Sequence, residues 1–332
     1  MVKQVLQHLG SGITEVVDLP SLVPSSNYLS VNTRRSLISA GTERMLLDFG
    51  RANLVTKAQQ QPARVREVIA KARTDGIEAT WDAVRSRLQQ PMPLGYSNVG
   101  IVSAIGQGVH GVRVGERVVS NGPHAEQVLV PPTLVARVPE AVSDDQAAFA
   151  VVGSIALQGF RLANPTLGET VVVVGLGLIG MLTAQIATAA GCRVIGIDVS
   201  TERCSTAQQF GAKTIDVSGG EDTVNIVMES TNGVGADIVL LTLASQSDEP
   251  MKEAAAMARK RGRIVLIGVT GLNLDRKTFY EKELTFQVSS SYGPGRYDPN
   301  YEGKGQDYPL PYVRWTAQRN FDAVLQLMAS KR

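Results

Sequence analysis

The stretch ETVVVVGLGLIGMLTAQIATAAGCRVIGID, residues 169–198, determines the fold of this 332-residue chain. It opens with a continuous β-branched run, which is typical of a strand buried on both faces of a parallel sheet. The glycine-rich turn GLGLIG follows, and then an apolar helix closed by Gly191. A second strand ends at Asp198. The stretch therefore predicts a β-strand, a helix and a parallel β-strand in succession.

The turn GLGLIG matches the pattern G-x-G-x-x-G between a strand and a helix. In such a unit Gly175 permits the tight turn, Gly177 lets a pyrophosphate approach the backbone, and Gly180 lets the helix pack on the strand. The free N–H groups at the helix N-terminus favour phosphate. Asp198 would accept hydrogen bonds from a ribose 2′-hydroxyl and repel a 2′-phosphate. These residues predict a site for NAD(H).

Arg203 is the feature that counts against this cofactor prediction, because an arginine near this turn can bind the 2′-phosphate of NADP(H). It lies a turn inside the following helix, and no basic residue directly follows Asp198. We therefore expect NAD(H) to be preferred. A unit whose glycines serve packing alone is the other interpretation of the same pattern.

The rest of the chain extends this unit on both sides. Strands and helices alternate over residues 156–290, which predicts a doubly wound parallel sheet. Short strands with glycine-rich turns occupy residues 1–40 and 94–138 and predict a small antiparallel barrel or sandwich. Residues 51–90 have helical spacing of apolar residues. The fold class is therefore α/β, with a β-rich first domain and a Rossmann domain.

Composition excludes several classes of function. The net charge of +2 gives no case for nucleic acid or an anionic membrane surface, and no apolar run reaches the roughly 18–20 residues needed to span a bilayer. The N-terminus lacks the apolar region of a secretory signal. The two cysteines, Cys192 and Cys204, suit neither a disulfide framework nor a metal knuckle, and we expect them to be packing groups in a cytoplasmic protein.

Several motifs resemble the medium-chain dehydrogenase/reductase family, which includes the zinc alcohol dehydrogenases: SAGTER, LGYSNVGIVSAIGQGVHGVRVGERV, GPHAEQVLVP, VVGSIALQGFR and ARKRGRIVLIGV. The resemblance covers nearly the whole chain. It implies a GroES-like catalytic domain over residues 1–155, with the helical insertion at about 51–90. It also implies an NAD-binding Rossmann domain over 156–290 and a return segment, 291–332, that rejoins the catalytic domain.

The resemblance also implies a set of cofactor contacts beyond the glycines and the acid. They come from the glycine turn, the helix that precedes the Rossmann domain and a later strand end. The predicted cofactor-binding residues are Gln158, Gly175, Gly177, Leu178, Ile179, Gly180, Asp198, Arg203, Gly268 and Val269.

The zinc ligands of this family are missing from the matching positions. Ala40, Tyr96 and Ser154 stand where the zinc enzymes have Cys, His and a third ligand, and none of these is a usual zinc ligand. The four-cysteine structural zinc lobe is absent as well. The resemblance is therefore to a zinc-less subgroup, and we expect no bound metal.

Candidate catalytic groups survive in the same motifs. Thr42 falls at the family's proton-relay hydroxyl, and Glu43 falls at the acid that supports the metal ligands. Tyr96 offers a phenol as a hydrogen-bond donor, and His124 is the only histidine in a family motif near the cleft. Thr42, Tyr96 and His124 are the predicted catalytic residues. Simple packing is the alternative for both Tyr96 and His124.

A tyrosine-rich polar stretch, SYGPGRYDPNYEGKGQDYP, spans residues 291–309. Tyrosine and arginine with glycine hinges suit a ligand that carries several hydroxyls or phosphates. Glu43, Tyr292, Arg296 and Tyr297 are accordingly the predicted substrate contacts, and a surface or dimer loop is the alternative. Lys282 is expected to end a surface helix.

These patterns favour a zinc-independent NAD(H)-dependent oxidoreductase that acts on a hydroxyl or carbonyl group of a sugar-like or polyol-like substrate. Quinone or enoyl reduction and an inactive NAD-binding scaffold are the alternatives. RRSLISAGTERM and YEKELTFQVSSSYGPGRYDP resemble the first half of bacterial two-part oxidoreductases, which implies a fused or partner second oxidoreductase domain. The chain stops where the family continues, so we expect a piece of a longer protein, and we expect a homodimer.

Overall fold

The computed structural model describes residues 1–51 and 90–331. The chain divides into two compact units, Met1–Arg137 and Val138–Arg332. The helical insertion predicted for about residues 51–90 falls almost entirely on residues outside the described ones. None of the described helices combines the length and the apolar character that a bilayer crossing requires.

The first unit is built mostly from short antiparallel strands. Its elements are β1 (Val2–His8), β2 (Thr14–Leu19), β3 (Leu29–Ser36), α1 (Ala40–Arg51), β4 (Pro91–Pro93), β5 (Asn98–Ile105), β6 (Arg117–Ser120), β7 (Gln127–Val130), a 3-10 turn (Pro132–Leu134) and β8 (Val135–Arg137). One sheet has the order β2-β1-β4, and a five-stranded sheet has the order β7-β3-β5-β6-β8. The antiparallel β-rich unit predicted for this region is confirmed.

The register of β3 with β5 positions the first unit's polar cluster. Leu29 and Val31 are fully buried and join a core made of valines from the facing strands, and Ser30 between them is fully buried as well. The β3–β5 register pairs Asn98 with Ser36. The residues just before Asn98 therefore lie beside the end of β3 and the start of α1.

The second unit alternates helices and strands. Its elements are α2 (Asp144–Ala147), α3 (Ala150–Leu162), β9 (Thr170–Val174), α4 (Leu178–Ala189), β10 (Arg193–Asp198), α5 (Thr201–Gln209), β11 (Lys213–Asp216), α6 (Thr223–Ser230), β12 (Ala236–Leu241), α7 (Glu249–Met257), β13 (Ala258–Leu266), α8 (Arg276–Lys282), β14 (Thr285–Val288), α9 (Pro299–Lys304) and α10 (Ala317–Ala329).

The strands of this unit form one six-stranded sheet of order β11-β10-β9-β12-β13-β14. Every neighbouring pair is parallel. Val171, Val172 and Val173 of β9 are fully buried, in agreement with the prediction of a strand covered on both faces. The strand order reverses between β9 and β12, and in such sheets ligands bind outside the carboxyl ends of the strands at that point. The predicted doubly wound parallel sheet is confirmed.

The C-terminal segment packs within the second unit. A Cβ built on Gly153 of α3 would lie 2.8 Å from Cγ1 of Val324, so α3 and α10 meet closely at that glycine. The predicted boundaries were 1–155, 156–290 and 291–332, with the last segment rejoining the first domain. Those boundaries stay a prediction, while the division of the described chain falls at Arg137.

Candidate functional site

A cluster of hydroxyl groups lies at the start of α1. The Tyr96 phenol donates a hydrogen bond to Oγ of Ser39 at 2.7 Å, and Oγ1 of Thr42 lies 3.4 Å from the same phenol oxygen. Ser39 is buried, Tyr96 is half-buried and Thr42 is exposed. Thr42 and Tyr96 therefore bring two hydroxyls together beside solvent, with Ser39 behind them.

Glu43 continues the cluster inward. Its Oε1 accepts the backbone N–H of Ser39 at 2.8 Å, and its Oε2 lies 3.1 Å from Nε2 of His124. The other ring nitrogen, Nδ1 of His124, lies 2.9 Å from Oγ of Ser36. The side chains of His124 and Glu43 are 12% and 8% exposed, so this imidazole–carboxylate contact is nearly shielded from water.

Gly95 explains how the histidine comes so near the backbone. Its φ is +87°, and a Cβ built on it would lie 2.7 Å from three atoms of the His124 ring. Any side chain at this position would displace the imidazole. The backbone N–H of His124 also donates to the Leu94 carbonyl at 2.7 Å, which holds the histidine beside the segment that carries Tyr96.

The cluster unites four residues that the sequence singled out, Thr42, Glu43, Tyr96 and His124. Two members, Ser36 and Ser39, were missed. Ser39 directly precedes α1, and Glu43 lies in the first turn of that helix. A serine directly before a helix is a favoured N-cap residue, and this signal could have found Ser39. Ser36 carries no comparable signal.

The residues at the family's zinc-ligand positions do not fit a zinc ion. Ala40 has no ligand atom, and the Tyr96 phenol is committed to Ser39. The Ser154 hydroxyl donates to the Ala150 carbonyl of its own helix at 2.7 Å and is fully buried. Within residues 1–51 and 90–331, no group of three His, Cys, Asp or Glu side chains is arranged to hold a metal.

The glycine turn of the second unit has the geometry that a pyrophosphate site needs. Gly175 has φ +90°, and a Cβ on Gly180 would lie 1.8 Å from the Gly175 carbonyl oxygen, so a larger residue would push α4 off the turn. Gly177 caps α4 without a side-chain hydrogen bond, and space beside it is open. Thr242 supports the turn by donating to the Gly175 carbonyl at 2.5 Å.

Asp198 ends β10 beside this turn, where its carboxylate is only 6% exposed. Its Oδ2 accepts the N–H of Leu176 at 2.6 Å, and its Oδ1 accepts the N–H of Ser200 at 2.9 Å. Nη1 of Arg203 lies 3.6 Å from Oδ2, and the Arg203 side chain is 55% exposed. Each carboxylate oxygen keeps acceptor capacity for a ribose hydroxyl. Arg203 places a positive charge at the same spot.

The remaining predicted cofactor residues lie on three elements. Leu178 and Ile179 open α4 directly after the turn. Gly268 follows β13, and a Cβ there would lie 2.0 Å from the Leu243 carbonyl oxygen, while Val269 is 53% exposed. Gln158 of α3 is nearly buried. Its Oε1 accepts from the Asn320 amide at 3.3 Å, so this oxygen already has a partner.

Two of the three predicted substrate residues in the tyrosine-rich stretch already contact other side chains of the protein. Tyr292 is 2% exposed and meets Phe321 edge to face, with ring centroids 5.2 Å apart. Arg296 forms an ion pair with Glu302, and its guanidinium lies 4.3 Å from the centroid of Tyr297. Tyr297 is 68% exposed. Of the three predicted substrate residues in this stretch, Tyr297 alone presents most of its side chain to solvent.

Lys282 and the two cysteines have structural partners. The Lys282 ammonium donates to the carbonyls of Ala255, Ala256 and Ala258 at 2.9, 2.6 and 2.8 Å, where α7 ends. It thereby satisfies helix carbonyls that have no partner within the helix. Cys192 and Cys204 are buried thiols outside any disulfide, and each donates to backbone carbonyls. Burial raises the pKa of both thiols. Both properties suit the predicted packing role.

The sequence is similar to those of known dehydrogenases and reductases. Residues 179–302 match the family model of zinc-binding dehydrogenases. The chain is 26% identical to D-xylulose reductase of Saccharomyces cerevisiae over 253 residues, covering 65% of this chain and 70% of the yeast protein. The chain is thus similar to dehydrogenases and reductases of the kind that its sequence motifs resemble. The medium-chain relatives include D-guloside 3-dehydrogenase of Escherichia coli K12, 29% identical over 245 residues, 71% of this chain and 65% of that protein.

Solved structures of medium-chain dehydrogenases share the fold. Alcohol dehydrogenase TADH from Thermus sp. ATN1 superposes with a TM-score of 0.73 at 19% identity, covering 99% of this chain and 89% of that one. The alcohol dehydrogenase rspB of Escherichia coli CFT073, complexed with NADH, gives a TM-score of 0.72 at 19% identity and covers 99% and 88%. The predicted fold, GroES-like domain plus Rossmann domain, is confirmed. At this level of identity, these likenesses show that the chain shares the fold of these dehydrogenases.

Proposed function

We propose that this chain is a zinc-independent, NAD(H)-dependent oxidoreductase that interconverts a hydroxyl and a carbonyl group on a polar sugar-like or polyol-like substrate. One observation carries the proposal. A connected set of hydrogen bonds runs from Thr42 and Tyr96 through Ser39 and Glu43 to His124, and it uses the groups that a metal would need. The hydroxyls of Thr42 and Tyr96 lie at the end of this set that is nearer to solvent. The Glu43 and His124 atoms that could bind a metal are hydrogen-bonded to each other or to serines.

The chemistry follows from those two hydroxyls. A bound nicotinamide supplies or accepts the hydride. Reduction of a carbonyl builds negative charge on the substrate oxygen, and without a metal that charge needs hydrogen-bond donors fixed in place. Thr42 and Tyr96 can both donate. In the free protein the Tyr96 phenol donates its hydrogen bond to Ser39. A bound substrate oxygen would replace Ser39 as the acceptor of that hydrogen bond.

Glu43 and His124 act through position rather than by touching the substrate. The carboxylate binds the Ser39 backbone with one oxygen and the imidazole with the other. Because both side chains are nearly buried, their contact is little weakened by solvent. This pair therefore keeps the first turn of α1, and with it Thr42, at a constant distance from Tyr96.

The substrate class is supported by the curated relatives. D-xylulose and D-guloside, named in two of them, carry several hydroxyls. A site whose exposed groups are a threonine hydroxyl and a phenol suits such a substrate, since each substrate hydroxyl can both donate and accept. We use D-xylulose with NADH as the first assay pair for this reason.

NAD(H) rather than NADP(H) is proposed because Asp198 lies against the glycine turn with acceptor capacity to spare. Its negative charge opposes a 2′-phosphate. Arg203 is the observation that favours the second candidate, an NADPH-dependent quinone or enoyl reductase, because its exposed guanidinium contacts Asp198 and could bind a 2′-phosphate instead. Turnover of a quinone with NADPH but of no sugar with NADH selects this second candidate.

The experiment that tests the proposal combines metal analysis with one variant. Elemental analysis should find well under one zinc per chain, and 1,10-phenanthroline should leave D-xylulose reduction unchanged. Tyr96→Phe removes only the phenol oxygen and should reduce turnover at least ten-fold with the NADH dissociation constant unchanged. Tyr280→Phe, which changes an exposed tyrosine elsewhere, is the matched control.

Three results contradict the proposal. Stoichiometric zinc refutes zinc independence. Full turnover in Tyr96→Phe shifts the donor role to Thr42 or His124. NADH binding without turnover of any sugar, polyol or quinone indicates an inactive scaffold.

We also propose a homodimer. β14 is the last strand of its sheet and pairs, among the described strands, with β13 alone. Val288 at its end is 51% exposed. An open edge of this kind can pair with a second copy. Sedimentation velocity should give about twice the chain mass of 35.5 kDa, and a monomer at micromolar concentration contradicts the proposal. A fused or partner oxidoreductase domain and a cytoplasmic location rest on the sequence alone.

A further inference from the structure

Arg161, in the last turn of α3, is a half-buried guanidinium without an acid. Its Nε is shielded from solvent and has no hydrogen-bond partner. Among residues 1–51 and 90–331, no carboxylate forms an ion pair with it. Burying a charged group without a partner is unfavourable, so such a group in a folded protein calls for a further contact.

A second arginine, Arg314, makes this shortage of negative charge worse. The guanidinium carbons of Arg161 and Arg314 lie 3.3 and 3.8 Å from the ring of Trp315. Both cations are attracted to the indole, but they repel each other. Burial, and then repulsion by Arg314, lowers the pKa of Arg161 to about 10. An anion bound here would relieve the repulsion and satisfy the guanidinium at once.

A groove opens directly beside this guanidinium. It has a volume of about 530 Å³, and its wall is formed by α3 and α10. The lining residues are Leu157, Arg161, Ala323, Gln326, Leu327 and Ser330. Most of this wall is apolar, with Arg161 as its one charged member. The volume falls within the roughly 300–1,000 Å³ of small-molecule sites.

We propose that this groove binds a small amphipathic carboxylate, with its acid paired to Arg161 and its apolar body against Leu157 and Leu327. A guanidinium matches a carboxylate with two parallel hydrogen bonds. The groove shares no lining residue with the glycine turn or with the Thr42–Tyr96 cluster, and the inference does not depend on the proposed function.

The test uses decanoate as the probe and Trp315 as the reporter. The chain has two tryptophans, Trp81 and Trp315, so a Trp81→Phe background leaves Trp315 as the single tryptophan fluorophore. Decanoate should change the Trp315 emission in a saturable way. Decanol carries the same tail without the charge, and acetate carries the charge without the tail. Both should bind at least ten-fold more weakly.

Two variants separate the site from non-specific binding. Arg161→Met keeps the length of the side chain and removes its charge, and decanoate affinity should fall at least ten-fold. Leu327→Glu places an acid within the groove, where it would pair with Arg161 and exclude the probe. Arg276→Met, at an exposed arginine stacked on Tyr280, removes the same charge elsewhere and should leave binding unchanged. Circular dichroism confirms that each variant is folded.

Several outcomes overturn the inference. Equal decanoate affinity in wild type and Arg161→Met shows that the guanidinium is not the anchor. Equal binding of decanol shows a purely apolar groove. If decanoate does not bind and Arg161→Met instead changes the sedimentation coefficient, the groove is an interface with another protein chain rather than a small-molecule site.

Discussion

Nε2 of His124 lies 3.1 Å from Oε2 of Glu43, and this nearly buried pair is linked through Ser39 to the hydroxyls of Tyr96 and Thr42. The other carboxylate oxygen accepts a hydrogen bond from the backbone N–H of Ser39, and the Ser39 hydroxyl oxygen accepts a hydrogen bond from the Tyr96 phenol. Glu43 therefore reaches the phenol through a single intervening residue.

Glu43→Gln should disrupt these hydrogen bonds, although the glutamine side chain has nearly the same shape as the glutamate. A glutamine has one carbonyl oxygen and one NH2 group, so when its oxygen accepts from the Ser39 N–H, a donor replaces the acceptor that Glu43 offers to His124. The free energy of unfolding should fall by about 1–3 kcal/mol, the usual cost of an unsatisfied buried group. Turnover should fall at least ten-fold while the NADH dissociation constant is unchanged. Urea denaturation and fluorescence titration measure these quantities.

Glu281→Gln, at an exposed glutamate in α8, is the control for the loss of one negative charge. A double-mutant cycle with His124→Gln should give a coupling energy above about 0.5 kcal/mol, as residues in contact do. Additive effects of the two substitutions would mean that the pair does not act as a unit.

Ser39→Ala tests whether Ser39 acts on the reaction through the phenol. The variant removes the acceptor of the Tyr96 proton and keeps the backbone N–H that binds Glu43. Its turnover should fall by less than that of Tyr96→Phe. The double variant Ser39→Ala/Tyr96→Phe should be no slower than Tyr96→Phe alone, because both changes remove the same hydrogen bond. Steady-state kinetics decide the matter, and multiplied losses would show that the serine has a role of its own.

Asp198 and Arg203 should set cofactor preference in opposite directions. Asp198→Ala removes the charge that opposes a 2′-phosphate, so NADPH affinity should rise relative to NADH. The variant should also lose about 1–3 kcal/mol of stability, since the N–H groups of Leu176 and Ser200 lose their acceptor. Arg203→Ala should weaken NADPH more than NADH. Fluorescence titration with both cofactors measures this, and wild-type protein that prefers NADPH would contradict the assignment.

The hydrogen bond from Tyr308 to Asp298 should contribute to the pH dependence of the free energy of unfolding at acidic pH. The Tyr308 phenol donates to Asp298, which lowers the pKa of that carboxyl from its ordinary 3.8 and raises the pKa of the phenol. A carboxyl with a lowered pKa stabilises the fold above its unfolded pKa. That contribution is fully present above 3.8 and is lost as the pH falls through the lowered value.

Tyr308→Phe should therefore raise the Asp298 pKa towards 3.8 and flatten the dependence of stability on pH below that value. Carbon-13 NMR titration of the Asp298 carboxyl measures the pKa directly. Asp298 also accepts the N–H of Asn300, and this bond is retained in the variant, so part of the shift should persist. An unchanged Asp298 pKa would show that the phenol does not contribute in solution.

The second unit could be predicted from sequence because its signals are local. The β-branched run before Gly175 and the acid at Asp198 each lie within a few residues of the structure they specify. The glycine roles follow from sterics that any sequence with this turn must obey, as the 1.8 Å approach at Gly180 shows. Asp198 was assigned to a ribose hydroxyl, but its contacts with Leu176 and Arg203 depend on packing that the motif does not encode.

The first unit's cluster was predicted only in part because its contacts span long sequence separations. Glu43 and His124 are 81 residues apart in sequence, and Tyr96 lies 57 residues from Ser39. The family motifs indicate each of these residues separately. Their contacts with one another depend on strand register, which the motifs do not encode. The tyrosine-rich stretch could not be interpreted for the same reason, since the burial of Tyr292 depends on Phe321 in a distant helix.

The hydroxyl of Ser154, turned back onto its own helix, has an evolutionary consequence. Three positions, Ala40, Tyr96 and Ser154, would have to mutate before this lineage could regain a metal at the family's ligand positions. Changing Tyr96 or Ser154 first breaks a hydrogen bond already formed, with no ion yet present to compensate. Two of the three changes therefore cost stability before an ion can bind, and only a change at Ala40 leaves both of these hydrogen bonds in place.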